Sequence, residues 1–264
     1  MPELPEVETF VRNLSGVIGH TISSADVLDS RLDLDPENLV GKLIVDVRRR
    51  GKHIVMDFAD GSSLVIHLRM SGRLKLERSQ AEIPYTRLTV RLDDGERVYF
   101  VNPRRLGTAQ FCRNGASLNL GLEPLDSEFT PDALHRIASA SRAPVKQLLL
   151  DQRKIAGIGN IYAAEALWRA GIDPRRPSNT LSSEEVAALH AAVVSVLQSA
   201  IAQMGTTLGT SVSDYRPNSI AGGMFQNHLS VYGREGEFCE RCGGTIARTV
   251  QSGRSTCYCP CCQA

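Results

Sequence analysis

Apolar residues recur at helical spacing over residues 5–18, at Val7, Phe10, Val11 and Leu14, and Pro5 suits a first helical turn. Pro2-Glu3-Leu4 precedes this helix, and Pro5 pushes Leu4 toward an extended conformation. From about residue 20 to 115 the period falls to two. Val45–Val47, His53–Phe58, Ser63–Leu68, Leu88–Leu92 and Val98–Val101 read as strands, with Asp60-Gly61 and Asp94-Gly95 as hairpin turns. Several short antiparallel strands beside one helix predict a β-sandwich. From about 130 to 204 the pattern turns helical. Thr130-Pro131-Asp132-Ala133 begins one helix and Ala143-Pro144-Val145 another, while Ser182-Ser183-Glu184-Glu185 opens a long third through Leu189, Val193 and Leu197. Residues 205–223, rich in Gly, Ser and Thr, read as a mobile loop. The expectation is an α+β chain in three parts: residues 1–125, 126–228 and 229–264.

Composition narrows the class. Apolar residues at 42% and charged residues at 22% exclude a disordered or collagen-like chain. No run approaches the roughly 18 apolar residues of a membrane span, and MPELPEVE resembles neither a signal nor a transit peptide. A soluble, intracellular protein is expected. Thirty basic against 29 acidic side chains hide an asymmetry. Residues 1–40 carry eight acids and two bases, whereas residues 141–180 carry seven bases and three acids. A polyanion needs a local basic surface, not a basic total; scattered solvated charge is the other reading.

Six of the seven cysteines lie in the last 26 residues. Cys239-x2-Cys242 and Cys259-x2-Cys262 have the spacing of two thiolate knuckles converging on one tetrahedral zinc ion. Gly243-Gly244 and Ser252-Gly253 fall where the knuckle and the opposing hairpin need turns. Cys257 and Cys261 are surplus and compete for the second pair of positions. Four thiolates leave no site for activated water, so this zinc is architectural.

Five further segments carry candidate chemistry. Removal of Met1 would expose Pro2 as a secondary amine with a pKa near about 8, partly neutral at physiological pH. Such an amine condenses at a sugar C1′ to give an iminium that acidifies the neighbouring C–H, and Glu3 is suited to protonate the sugar. Met-Pro also starts many chains with no such role. In Gly157-Ile158-Gly159-Asn160-Ile161-Tyr162, two glycines allow close backbone approach and Asn160 is suited to cap the next helix, a phosphate-binding start flanked by Lys146, Arg153 and Lys154; an ordinary interhelical turn fits equally. Arg48-Arg49-Arg50-Gly51-Lys52-His53 is either a functional basic turn or solvated surface. His67-Leu68-Arg69-Met70 and Asn102-Pro103-Arg104-Arg105-Leu106 each put an apolar residue beside arginines, as in proteins that wedge open a base step, or else as a hydrophobe packed on the core.

Together MPELPEVE, RRRGKH, HLRMSG, NPRRLG, LGLEPL, GIGNIYAAEALWRAGI, VYGREGEFCERCG and SGRSTCYCPCCQ, in this order over residues 1–263, resemble the bacterial formamidopyrimidine-DNA glycosylase family, related to endonuclease VIII. The resemblance implies a catalytic β-sandwich over 1–125, a helix-two-turn-helix domain over 126–228 and a zinc-finger hairpin over 229–264. It implies a cytoplasmic, nucleoid-associated monomer that acts on double-stranded DNA, needs no membrane and holds one structural zinc ion. Oxidised purines would be excised and the strand cut by β- and δ-elimination. Motif by motif, Pro2 becomes the Schiff-base nucleophile, Glu3 the general acid, Lys52 the proton donor for β-elimination, and Arg254 the phosphate grip for δ-elimination. Lys146, Asn160, His67 and Tyr85 fall among the DNA contacts. Met70, Arg104 or Arg105, and Leu106 would fill the gap left by the flipped nucleotide, and the 205–223 loop would cover the extruded base. Leu106 stands where the family commonly has Phe, and Tyr85 near a common phosphate-binding His. Two alternatives share the scaffold: an endonuclease VIII-like preference for oxidised pyrimidines, and a non-catalytic binder of damaged DNA.

Overall fold

The structure is a computed structural model and describes residues 1–78, 82–207 and 223–264. The chain divides into two compact units, Met1–Leu118 with Gln203–Met224, and Asn119–Ala202 with Phe225–Ala264.

The first unit is a sandwich of two four-stranded antiparallel sheets. Its strands are β1 (Ile22–Val27), β2 (Ile44–Arg50), β3 (His53–Phe58), β4 (Ser63–His67), β5 (Arg73–Glu77), β6 (Thr86–Leu92), β7 (Arg97–Val101) and β8 (Thr108–Cys112). One sheet runs β1-β6-β7-β5 and the other β2-β3-β4-β8. Inward residues of both sheets, among them Ile54, Ile66, Leu74, Leu88 and Phe100, form one buried cluster. Helix α1 (Leu4–Asn13) adds Val7 and Phe10 to it and packs on β2, β3 and β5. Asp60-Gly61 and Asp94-Gly95 turn β3 into β4 and β6 into β7, as expected, each glycine with a left-handed backbone.

Four differences from the expected elements have local causes. Helix α1 stops at Asn13, because the Leu14 amide folds back to the Phe10 and Val11 carbonyls ahead of Gly16 and Gly19, both poor helix formers. Strands β1, β5 and β8 were not expected from the alternation. In β1 the residues Ser23, Ser24 and Asp26 and a register shift near Ile22 blur the period of two, and β8 has a single fully buried position, Ala109. The short alternation Leu74/Leu76 of β5 is real but lies beside residues whose polarity hides it.

The second unit contains α2 (Pro131–Ser139), α3 (Val145–Leu150), α4 (Asn160–Ala170) and α5 (Ser183–Ala202), closed by the hairpin β9 (Ala247–Gln251) and β10 (Arg254–Tyr258). Thr130 caps α2 through its hydroxyl, which accepts from the Ala133 amide at 3.1 Å. Ser182 and Glu185 form a reciprocal capping box at α5. α5 is long and apolar enough to cross a bilayer, which corrects the expectation that no stretch is. Val186, Leu189, Val193, Val196 and Leu197 are nevertheless buried within this unit, where α5 packs on α4 and α2. The expected helix cap at Asn160 is also corrected. Gly159 is the residue ahead of α4, and Asn160 lies inside its first turn with its side chain directed elsewhere.

Candidate active site

In the first unit Met1 is exposed, whereas Pro2 and Glu3 are buried. Glu3 and Glu6 cap α1 reciprocally, with the Glu3 amide donating to Glu6 Oε2 at 2.7 Å. The other Glu6 oxygen accepts from the Thr206 amide at 2.7 Å. The start of the chain is thus held by helix-cap hydrogen bonds. Lys52 lies in the β2–β3 turn and is 6% exposed. Arg49 Nε donates to Glu8 Oε2 at 3.1 Å, tying that turn to α1, and Arg48 pairs with Asp57 at 2.6 Å. The basic segment is therefore largely pinned rather than solvated.

His53 and His67 oppose each other across β3 and β4, ring centroids 4.6 Å apart and edge to face. Burial pushes both imidazoles down, His67 to about 3, with the other imidazole and the nearby Arg69 and Lys52 charges adding to the effect on His67. His67 is neutral at physiological pH, and its Nδ1 accepts from the Arg69 amide at 3.0 Å. Arg69 is left-handed, with φ 53°, and Met70 after it is exposed. The 102–107 turn leaves the same sheet end, because His67 is paired with Thr108. There Arg105 is left-handed, with φ 54°, and Arg104 and Leu106 are exposed. Tyr85, also left-handed, is exposed.

Sequence reasoning missed Asp29, which is 3% exposed. Its carboxylate accepts from Arg105 Nε at 2.8 Å and from a second Arg105 nitrogen, from the Arg31 amide at 3.1 Å, and lies 3.7 Å from Arg87 Nε. Arg105 above all holds this carboxyl down at about 2. No local motif marks the residue; the only sign was its place among the acids of the N-terminal segment.

In the second unit Lys146 is fully buried. Its ammonium donates to the Ser255 carbonyl at 3.0 Å and to Thr256 Oγ1 at 2.7 Å. Asn160 Nδ2 donates to the same carbonyl at 3.0 Å. Both side chains therefore grip the strand next to Arg254, which is exposed at the hairpin tip. Ser252-Gly253 makes the two-residue turn, with φ of 48° and 73°, the positive pair a tight hairpin needs. Glu165, also missed, is buried on α4. Its two oxygens accept from the amides of Ser230, Val231 and Tyr232 at 2.9–3.0 Å, while burial pushes its pKa up. A charged residue inside the apolar stretch 163–167 was its only signal.

The sulfurs of Cys239, Cys242, Cys259 and Cys262 all lie within 4.8 Å of one another. Bonds of about 2.3 Å to a tetrahedral zinc put sulfurs about 3.8 Å apart; the Cys239–Cys262 and Cys242–Cys259 separations are 3.9 and 3.5 Å. A Cβ on Gly244 would stand 2.8 Å from the Cys261 sulfur and 3.4 Å from that of Cys242, so any larger residue there would have to displace the Cys261 side chain. Trp168 Nε1 donates to Cys239 Sγ at 3.4 Å, an outer contact of the kind that orients a thiolate ligand. Cys257 is buried in the apolar cluster under the hairpin and Cys261 is exposed, so neither belongs to the group of four. The donor set fits one structural zinc ion.

A β-sandwich, a helical unit and a four-cysteine hairpin together make a protein of the zinc-finger class. Residues 1–109 match the formamidopyrimidine-DNA glycosylase N-terminal domain, residues 120–212 the formamidopyrimidine-DNA glycosylase H2TH domain, and residues 236–264 the zinc finger found in FPG and IleRS. The formamidopyrimidine-DNA glycosylase of Paracoccus denitrificans is 43% identical, with both chains covered completely. The crystal structure of MutM (FPG) from Thermus thermophilus is 41% identical, with a TM-score of 0.89 and 99% and 98% of the two chains covered. A Lactococcus lactis FPG mutant bound to Fapy-dG DNA is 33% identical, with a TM-score of 0.88 and 99% of both chains covered. The chain belongs to the formamidopyrimidine-DNA glycosylase family of DNA-repair enzymes.

Proposed function

We propose that this enzyme removes oxidised purines, 8-oxoguanine and formamidopyrimidines, from duplex DNA and then cleaves the strand as an AP lyase. The observation that carries the reading is the N-terminal tripeptide, in which Met1 is exposed while Pro2 and Glu3 are held in the capped start of α1. With Met1 removed, the Pro2 nitrogen attacks C1′ of an extruded nucleotide and the N-glycosidic bond breaks. Glu3 protonates the sugar oxygen, and the iminium so formed is the electron sink for both eliminations. Loss of a C2′ proton expels the 3′ phosphate, and a second elimination expels the 5′ phosphate. Lys52 acts in the first elimination and Arg254 grips phosphate for the second. His67 and Tyr85 belong to the DNA-contacting set, and Lys146 and Asn160 support it by holding the strand that presents Arg254. The exposed tips Met70 and Leu106 fill the vacated space, and Arg104 rather than Arg105 accompanies them, because Arg105 is engaged by Asp29. Fapy-dG in the DNA of the Lactococcus lactis relative supports a ring-opened purine as substrate. Of the 205–223 loop assigned to cover the extruded base, residues 208–222 lie outside the described residues.

Borohydride tests the mechanism. Native protein on a duplex with one 8-oxoguanine is expected to give a covalent adduct, and Pro2→Gly to lose at least about tenfold of it. No adduct from protein with a processed terminus would overturn the Schiff-base reading. Faster excision from thymine-glycol than from 8-oxoguanine duplexes would overturn the purine assignment.

A further inference from the structure

We propose that Asp29 is a positioning residue for the 102–107 turn: it fixes Arg105, aims Leu106, and so sets how the enzyme discriminates the base opposite the lesion. This rests on the proposed entry of Leu106 into the gap in the duplex.

Asp29 follows β1, where the Leu28 amide donates to the Arg87 carbonyl at 2.8 Å. Its carboxylate holds Arg105 by two nitrogens and stands 3.7 Å from Arg87 Nε. Arg87 Nε in turn donates to the Asn102 carbonyl at 3.1 Å, and the Arg105 amide donates to that same oxygen at 3.2 Å. One buried anion thus joins the end of β1, the start of β6 and, within the turn, Asn102 and Arg105. A two-point carboxylate–guanidinium contact fixes direction as well as distance. Direction is what the turn needs, because Arg105 holds a left-handed backbone that an L side chain adopts only when its surroundings demand it. Leu106 comes next, 53% exposed. The same clamp separates the two arginines. Arg105 is committed within the protein, whereas Arg104 has no hydrogen bond or ion pair among the described residues.

The test compares single-turnover excision of 8-oxoguanine opposite cytosine and opposite adenine, with 2-aminopurine beside an abasic analogue reporting insertion of the tip. Asp29→Asn keeps the shape and removes the charge. It is expected to shift the cytosine/adenine rate ratio by about tenfold and to weaken the fluorescence response, through kcat far more than KM. The double variant Asp29→Asn/Arg105→Gln is expected to be no worse than Arg105→Gln alone, since both substitutions open one clamp. A folded Asp29→Asn protein with the parental ratio and fluorescence overturns the proposal, as does simple additivity in the double variant. If Asp29→Asn does not fold, Arg105→Lys, which keeps the charge and loses the fork, is read in the same way. Leu106→Ala separates the two layers. A parental ratio and signal there removes the wedge reading itself. An altered signal there beside an unaltered one in Asp29→Asn removes only the clamp.

Discussion

Lys146 spends its charge inside the protein. A fully buried ammonium bonded to a carbonyl and a hydroxyl is stabilising only while those partners remain. Lys146→Met, of similar length and apolar, is expected to lower stability by about 2 kcal/mol, read as a lower denaturation midpoint. Asp29 makes a second prediction, about pH. Its folded pKa is lowered from 3.8 to about 2, so the stability it contributes is present above pH 3.8 and is lost as pH falls through about 2. Acid titration of unfolding should therefore show a smaller loss between those values in Asp29→Asn than in the parent. Pro2, Glu3, Lys52 and the four zinc cysteines were nominated by motif and spacing. Asp29 was not, because its partner lies 76 residues away. A cross-chain ion pair leaves no local pattern. The burial of Lys146 was equally hidden, since its sequence neighbours give no sign of the strand that covers it.

At the level of elements, hairpins with Asp-Gly turns and helices with Ser or Thr caps were legible, since turn and cap chemistry are written in two to four adjacent residues. Strands β1 and β8 were not, because their identity comes from the neighbours they pair with. The same holds for the segment leading to the zinc hairpin, whose amides at 230–232 are gathered by Glu165. Glu165→Ala would take the carboxylate acceptor from the buried Ser230 and Val231 amides and from the half-buried Tyr232 amide. Expected is a loss of about 3 kcal/mol in stability or more, together with faster amide hydrogen exchange at 230–232 than elsewhere in the unit. Unchanged exchange there would show that the carboxylate does not organise the segment.

For the whole molecule, a formal net charge of +1 gives DNA no general attraction, so affinity must come from local cations, with Arg254 among them in the proposed mechanism. Binding should weaken steeply with salt, and Arg254→Ala should reduce the slope of log K against log salt by about 1. Strong chelation, or Cys242→Ala, is expected to abolish DNA binding measured by anisotropy, because zinc binding is coupled to folding of the hairpin that carries Arg254. Retained binding by metal-free protein would separate the finger from the interface. Within that hairpin, the Ser255 carbonyl receives two donors from outside the strand, whereas none of the described hydrogen bonds involves the Ser255 hydroxyl. Saturation mutagenesis should accordingly find position 255 permissive to nearly every residue but proline, while 146 and 160 tolerate little. The structural importance of that locus would be invisible to any survey that weighs side chains and overlooks the main chain.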